Sequence, residues 1–199
     1  MPRLLLSIGL FLLLISVLIL KLPALYVFDI GAVQWMYEHR TPFFNVLAQG
    51  FSAAGGMPFV LFLTVLWCLH QAWYKNYSNT VFISIGIIGS ICIAWMLKYV
   101  VSRPRPPEMY FLVQTYGDSF PSGHSLYAAA LGCLAIYVSL QHSKHKLICL
   151  FASIWILLMG ISRVYAGAHF PSDVLSGWSI SFIWITLLYW TIEKYRQPK

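Results

Sequence analysis

The sequence predicts an all-α fold, a bundle of six transmembrane helices with a short interfacial helical segment between the first and the second. Three observations predict it. The chain of 199 residues is 59% hydrophobic and only 10% charged, whereas soluble domains carry about 25% charged residues. So little charge cannot cover a water-facing surface. Six stretches free of Asp, Glu, Lys and Arg occupy residues 4–20, 57–74, 80–97, 124–140, 147–162 and 174–191. Each is near the lower length for crossing the hydrocarbon core. A chain in lipid must satisfy its own backbone hydrogen bonds, which makes these stretches helices. The aromatic share is 17%, with eight Trp and twelve Tyr, rings that collect at membrane–water boundaries.

The first stretch follows Arg3 and has a leucine-rich core, as a signal peptide would. Leu22-Pro23-Ala24 is a poor cleavage site and the core is long for a signal, so a retained helix is expected. The connection over residues 21–56 sets Val33, Trp35, Met36, Phe43, Phe44, Val46, Leu47 and Phe51 among polar residues, a pattern that fits short helices in the outer interface. Gly55-Gly56 then breaks the chain before the second span. The connections after the second and fourth spans are short and basic, with Lys75 in one and Lys144 and Lys146 in the other. No internal repeat or low-complexity tract divides the chain, which reads as one membrane domain over residues 1–199.

The net charge of +7 does not point to nucleic acid, because the basic residues lie between and just beyond the apolar runs and form no polar-interleaved face. Such charges set orientation and meet anionic head groups. Six spans put both termini on one side, with Arg3, Lys75, Lys144, Lys146, Lys194, Arg196 and Lys199. The other side holds Lys21, Arg40, Lys98, Arg103, Arg105 and Arg163. If Lys98, Arg105 and Arg163 serve a ligand instead of orientation, the remaining bias predicts cytoplasmic termini. The cysteines Cys68, Cys92, Cys133 and Cys149 all lie inside apolar runs without a C-x-x-C spacing, and read as packing residues.

Three polar clusters map to the side opposite the termini. One runs from Lys98 to Pro106 at the end of the third span. The next is Pro121-Ser122-Gly123-His124 at the start of the fourth. The last runs from Ser162-Arg163 to His169 and Asp173, between the fifth and sixth. Interface anchoring requires neither two histidines and an aspartate nor their convergence. Phosphoryl transfer does fit. Lys98, Arg105 and Arg163 can hold a phosphate, arginine bidentately. The backbone at Ser122 and Gly123 precedes a helix, whose free N–H groups bind anions. Asp118 or Ser119 is the expected cap of this turn, with Pro121 in its first residues. His169 and Asp173 are four apart, so a helical turn sets them on one face. The carboxylate can then fix the tautomer of a nucleophilic His169, and His124 can act as general acid and then base. Two His and one Asp can also bind a divalent ion, but three nearby cations would repel it, so no metal or other cofactor is expected.

The chain matches, in order and without substitution, the pattern K-x6-R-P, then P-S-G-H, then S-R-x5-H-x3-D, and so resembles the type 2 phosphatidic acid phosphatase superfamily. The resemblance spans Lys98 to Asp173 in motif, and nearly the whole chain if the six helices are counted. It implies a bacterial six-helix lipid phosphatase in the cell membrane with its site facing outward. It also implies phosphorylation of His169, and protonation of the leaving group by His124. Undecaprenyl diphosphate and phosphatidylglycerol phosphate are the leading substrates it implies. Two other readings use other classes: a lipid phosphotransferase with the same site, and a non-catalytic lipid-binding or transport protein. Arg103 stands beside the signature, divided between substrate contact and interfacial charge. His70, His142 and His145 read as packing or surface residues, and Trp95 and Tyr99 as interface anchors. Head-group contacts are expected from residues 21–56 and 108–120. No feature sets an oligomeric state.

Overall fold

The computed structural model describes residues 2–196; Lys199, counted above with the terminal charges, lies outside them. The described residues form eight α-helices and one 3-10 turn in the order α1 Pro2–Lys21, α2 Pro23–Glu38, α3 Pro42–Gly55, α4 Met57–Trp73, α5 Tyr77–Val101, the turn Glu108–Tyr110, α6 Gly123–Val138, α7 His145–Tyr165 and α8 Pro171–Arg196. There is no strand among them. Four helices, α1, α5, α7 and α8, are long and apolar enough to cross a membrane, and a fifth span results if α3 and α4, bent by 55° at their junction, count as one. α6 is apolar but only 16 residues long. The protein is thus an all-helical, multi-pass membrane protein.

Local chemistry sets the helix ends. Prolines stand in the first turns of α2, α3 and α4, where the missing N–H has no intrahelical partner to lose. Thr41 caps α3 by accepting from the Phe44 N–H. α5 stops at Ser102, whose φ of 44° takes the backbone into the left-handed region. The next residue, Arg103, precedes Pro104 and is biased away from the helical region.

α6 is the axis of the fold and packs against α5, α7 and α8. Its face of Ala128, Ala129, Ala130, Gly132 and Cys133 is buried. Small residues let helix backbones approach closely, which is how helices associate where lipid is as apolar as the side chains. A Cβ at Gly132 would come within 2.7 Å of Ile156 on α7. α1 lies along α8 and turns Leu4, Phe11, Leu14 and Leu18 outward, as a lipid-facing helix requires.

The connection between the first two spans is more substantial than short surface helices. α2 and α3 have 16 and 14 residues. α2 packs on α7 and α8, and α3 on α6 and α7. Their buried residues include Asp29, Val33 and Ala48. Both helices therefore wall the end of the bundle where the signature residues lie.

Candidate active site

Each signature residue is placed by a helix end. Lys98 occupies the last turn of α5 and Arg105 the loop beyond it. Gly123 and His124 open α6. Arg163 is in the last turn of α7, His169 in the following loop, and Asp173 in the first turn of α8. A cavity of about 550 Å³ brings them together. Its lining includes Lys98, Arg105, Gly123, His124, Arg163 and His169, and its size is typical of ligand sites. Met57, Pro58, Trp95 and Tyr127 form an apolar part of the same wall, so Trp95 faces the site as well as any interface.

The cations are held by carbonyl and hydroxyl oxygens. Lys98 Nζ donates to the Asp118 carbonyl at 2.5 Å. Arg105 donates to the carbonyls of Gly117, Tyr116 and Ala168 at 2.8, 2.8 and 2.6 Å. Its Nη1 is also 3.3 Å from His169 Nε2. Arg163, fully buried, donates to Ser52 Oγ at 3.1 Å and to the Ala48 carbonyl at 3.4 Å. Burial leaves Arg105 below the ordinary guanidinium range, the nearby Asp173 and Asp118 charges only partly opposing this.

His169 turns Nε2 to the cavity and Nδ1 inward. Nδ1 is 3.7 Å from Asp173 Oδ2 and 3.5 Å from Ser119 Oγ. Burial pushes this imidazole down to about 3; Asp173 pulls the other way, and the positive charges of Arg105 and Lys98 add to the fall. The ring is therefore neutral at pH 7, the form with a lone pair to give. Asp173 does not line the cavity. It is buried behind His169 and accepts from Ser119 Oγ at 2.5 Å, the Phe170 N–H at 3.0 Å and Arg103 at 2.6 Å. His124 Nε2 lies 3.1 Å from the Ser52 carbonyl, which accepts from it and leaves Nδ1 as the second proton site.

Three expectations change. Ser122 does not reach the cavity to hold phosphate. Its N–H donates to the Asp173 carbonyl at 3.0 Å, and its hydroxyl caps α6 by accepting from the Ser125 N–H. The expected caps do other work: Ser119 serves Asp173, and the Asp118 carbonyl serves Lys98 and Arg105. The amides of Gly123 and His124 stand in the first turn, without intrahelical acceptors, the kind of group that holds anions. Arg103 is neither a substrate contact nor an interfacial charge. It is buried between Asp29 and Asp173, at 2.7 and 2.6 Å. Burial alone would lower it, but the Asp173 and Asp29 carboxylates hold it above the ordinary guanidinium range.

Sequence reasoning missed Asp29, Ala48 and Ser52. Of these, only Asp29 left a signal: a lone carboxylate in an apolar stretch needs a buried partner. The loop expected to contact substrate does line the cavity, through Gln114, Thr115 and Tyr116.

The chain is similar to known proteins over most of its length. It is 31% identical over 163 residues to phosphatidylglycerophosphatase B of Bacillus subtilis strain 168, covering 79% of this chain and 80% of that protein. It is 33% identical over 137 residues to an undecaprenyl-diphosphatase of Sulfolobus acidocaldarius, covering 64% of each. The crystal structure of a transmembrane PAP2-type phosphatidylglycerolphosphate phosphatase from Bacillus subtilis superimposes with a TM-score of 0.82 at 27% identity, covering 96% of this chain and 94% of that one. The family described as the PAP2 superfamily matches residues 79–197, and the chain belongs to it.

Proposed function

We propose that this membrane lipid phosphatase hydrolyses a phosphate monoester or diphosphate of a lipid through a phosphohistidine at His169, without a metal. The observation that carries the reading is the single cavity in which two histidines, three cations and a helix start meet an apolar wall. Lys98, Arg105, Arg163 and the amides of Gly123 and His124 hold the phosphate oxygens and offset charge in the transition state. An arriving phosphate accepts from Arg105 and draws it off His169 Nε2. That nitrogen then attacks phosphorus: an N–P bond forms, the bond to the leaving oxygen breaks, and His124 gives that oxygen its proton. In the second step water attacks phosphorus, His124 takes its proton, and the N–P bond breaks to release inorganic phosphate. Asp173 and Ser119 favour the growing imidazolium from behind.

Undecaprenyl diphosphate and phosphatidylglycerol phosphate are the favoured substrates, on the names of the two relatives above. The apolar wall at Met57, Pro58, Trp95 and Tyr127 supports a substrate whose tail stays in the bilayer. The spans are six: α1, α4, α5, α6, α7 and α8, with α2 and α3 covering the outer end. The termini are cytoplasmic and the site faces outward from a bacterial cell membrane, as the distribution of basic residues favours. The test is phosphate release by purified protein from undecaprenyl diphosphate, phosphatidylglycerol phosphate, phosphatidic acid and a lipid A phosphate, with and without chelator. Release from one of the first two, unaffected by chelator, is expected. No release from any, transfer of the phosphoryl group to another acceptor, or loss with chelator contradicts the reading.

A further inference from the structure

The fully buried Asp29 is tied to the candidate catalytic helix, although it lies on α2, 144 positions before Asp173. It accepts from the Ser172 N–H at 3.0 Å and from the Ser172 hydroxyl. It also accepts from Arg103 Nη2 at 2.7 Å, while Arg103 Nη1 donates to Asp173 at 2.6 Å and to Ser172 Oγ at 2.7 Å. The Phe170 ring covers the guanidinium at 4.2 Å. The planar fork of arginine makes both carboxylate contacts at once, which an ammonium cannot do in the same geometry.

Signs decide what this arrangement does. Asp29, Arg103 and Asp173 together carry one net negative charge, held where water does not screen it. Without Asp29, Arg103 would give its whole charge to Asp173 and cancel it. With Asp29, the guanidinium is shared, and Asp173 keeps charge for the imidazolium that forms when His169 Nε2 bonds to phosphorus. The same contacts fix the Asp173 carboxylate and the start of α8, and so the position of His169.

We infer that Asp29 and Arg103 are positioning residues for the phosphohistidine step, an ion chain reaching His169 through Asp173 that leaves one buried negative charge behind the nucleophile. This rests on the reading of His169 as nucleophile.

The test uses the purified full chain in detergent with phosphatidylglycerol phosphate, comparing wild type, Asp29→Asn, Asp29→Glu, Arg103→Lys, Ser16→Ala and His169→Ala. Ser16→Ala removes a neighbouring bond, from Ser16 Oγ to the Ser172 carbonyl at 2.9 Å, without touching the ion chain. Asp29→Asn keeps the shape and removes the charge. It should lower kcat by about tenfold or more, the scale of a hydrogen bond to a charged group, with KM within about twofold. The phosphohistidine formed in a single turnover should fall in rate by the same factor. Asp29→Glu should recover part of kcat, Arg103→Lys should lose as much as Asp29→Asn, and Ser16→Ala should keep wild-type kcat. The inference is overturned if folded Asp29→Asn and Arg103→Lys keep kcat within twofold of wild type. It is also overturned if Ser16→Ala loses kcat equally, which would make the contacts merely structural. If His169→Ala still releases phosphate, the nucleophile reading itself fails, whatever Asp29 does.

Discussion

Ser119 Oγ donates to Asp173 Oδ2 at 2.5 Å, while His169 Nδ1 stands 3.7 Å from the same oxygen and 3.5 Å from the hydroxyl. The hydroxyl therefore lies where it can orient the carboxylate and follow the ring as charge develops on it. Ser119→Ala leaves Asp173 ionised through Arg103 but one partner short. Its kcat should fall about tenfold with KM nearly unchanged, the size of a lost hydrogen bond to a charged group. Steady-state kinetics at saturating lipid measures this; an unchanged kcat would remove Ser119 from the site.

His124 can be tested through the leaving group. His124→Asn removes the proton donor, so release from a lipid monoester should slow by about 10²–10⁴-fold. An aryl phosphate such as p-nitrophenyl phosphate leaves without protonation. With it the first step should be nearly normal, and the phosphoenzyme should accumulate because no base activates water. A burst of nitrophenolate followed by a slow steady rate is the expected trace. Equal slowing of both substrates with no burst would argue that His124 only binds phosphate.

The buried His169 links stability to pH. Its ring is held at about 3 against an ordinary 6.5, chiefly by burial. Between these values the unfolded chain binds a proton that the folded one does not, so stability is full above the unfolded value and falls as pH drops toward about 3. Thermal unfolding in detergent between pH 7 and 4 should therefore show a steeper loss for wild type than for His169→Asn. Parallel slopes would mean that His169 titrates normally in the folded protein.

Much of the site was legible in the sequence, and for a physical reason. Lys98, Arg105, His124, Arg163 and His169 are charged or titratable groups beside apolar stretches, and interface anchoring does not require two histidines among them. Their shared cavity follows from neighbouring helices that end or begin on one side: α5 and α7 end there, and α6 and α8 begin there. What escaped is the layer behind them. Ser52 and Ala48 hold His124 and Arg163 partly through backbone carbonyls, which any residue type supplies. Asp29 meets Arg103 and Ser172 only because α2 folds back onto α8. Ser122 was expected to hold phosphate along with the rest of its motif, yet the turn that presents Gly123 uses up its N–H and its hydroxyl. The apolar stretches marked helices by hydropathy, but the ends of those helices were set by caps: α5 runs to Val101 and α6 stops at Val138.

Gly167 carries the close approach of the His169 loop to Tyr110. Its φ is +68°, and a Cβ there would lie 2.0 Å from the Tyr110 carbonyl oxygen. That oxygen also accepts from Arg40 at 2.6 Å. Gly167→Ala must therefore strain the backbone and push Tyr110 away from Arg40. A loss of about 2 kcal/mol or more is expected, seen as a lower unfolding midpoint together with reduced activity. Gly31→Ala, where nothing lies within 4 Å of the added carbon, should be near neutral in the same assay.

The central claim is that His169 Nε2 takes the phosphoryl group. The most direct measurement is to mix purified protein with lipid substrate, quench in alkaline detergent within a single turnover, and locate the modification by peptide mass spectrometry. The account predicts one phosphoryl group on His169, accumulating further in His124→Asn and absent in His169→Ala. A phosphoryl group on another residue, or full turnover by His169→Ala with no phosphorylated peptide, would contradict it.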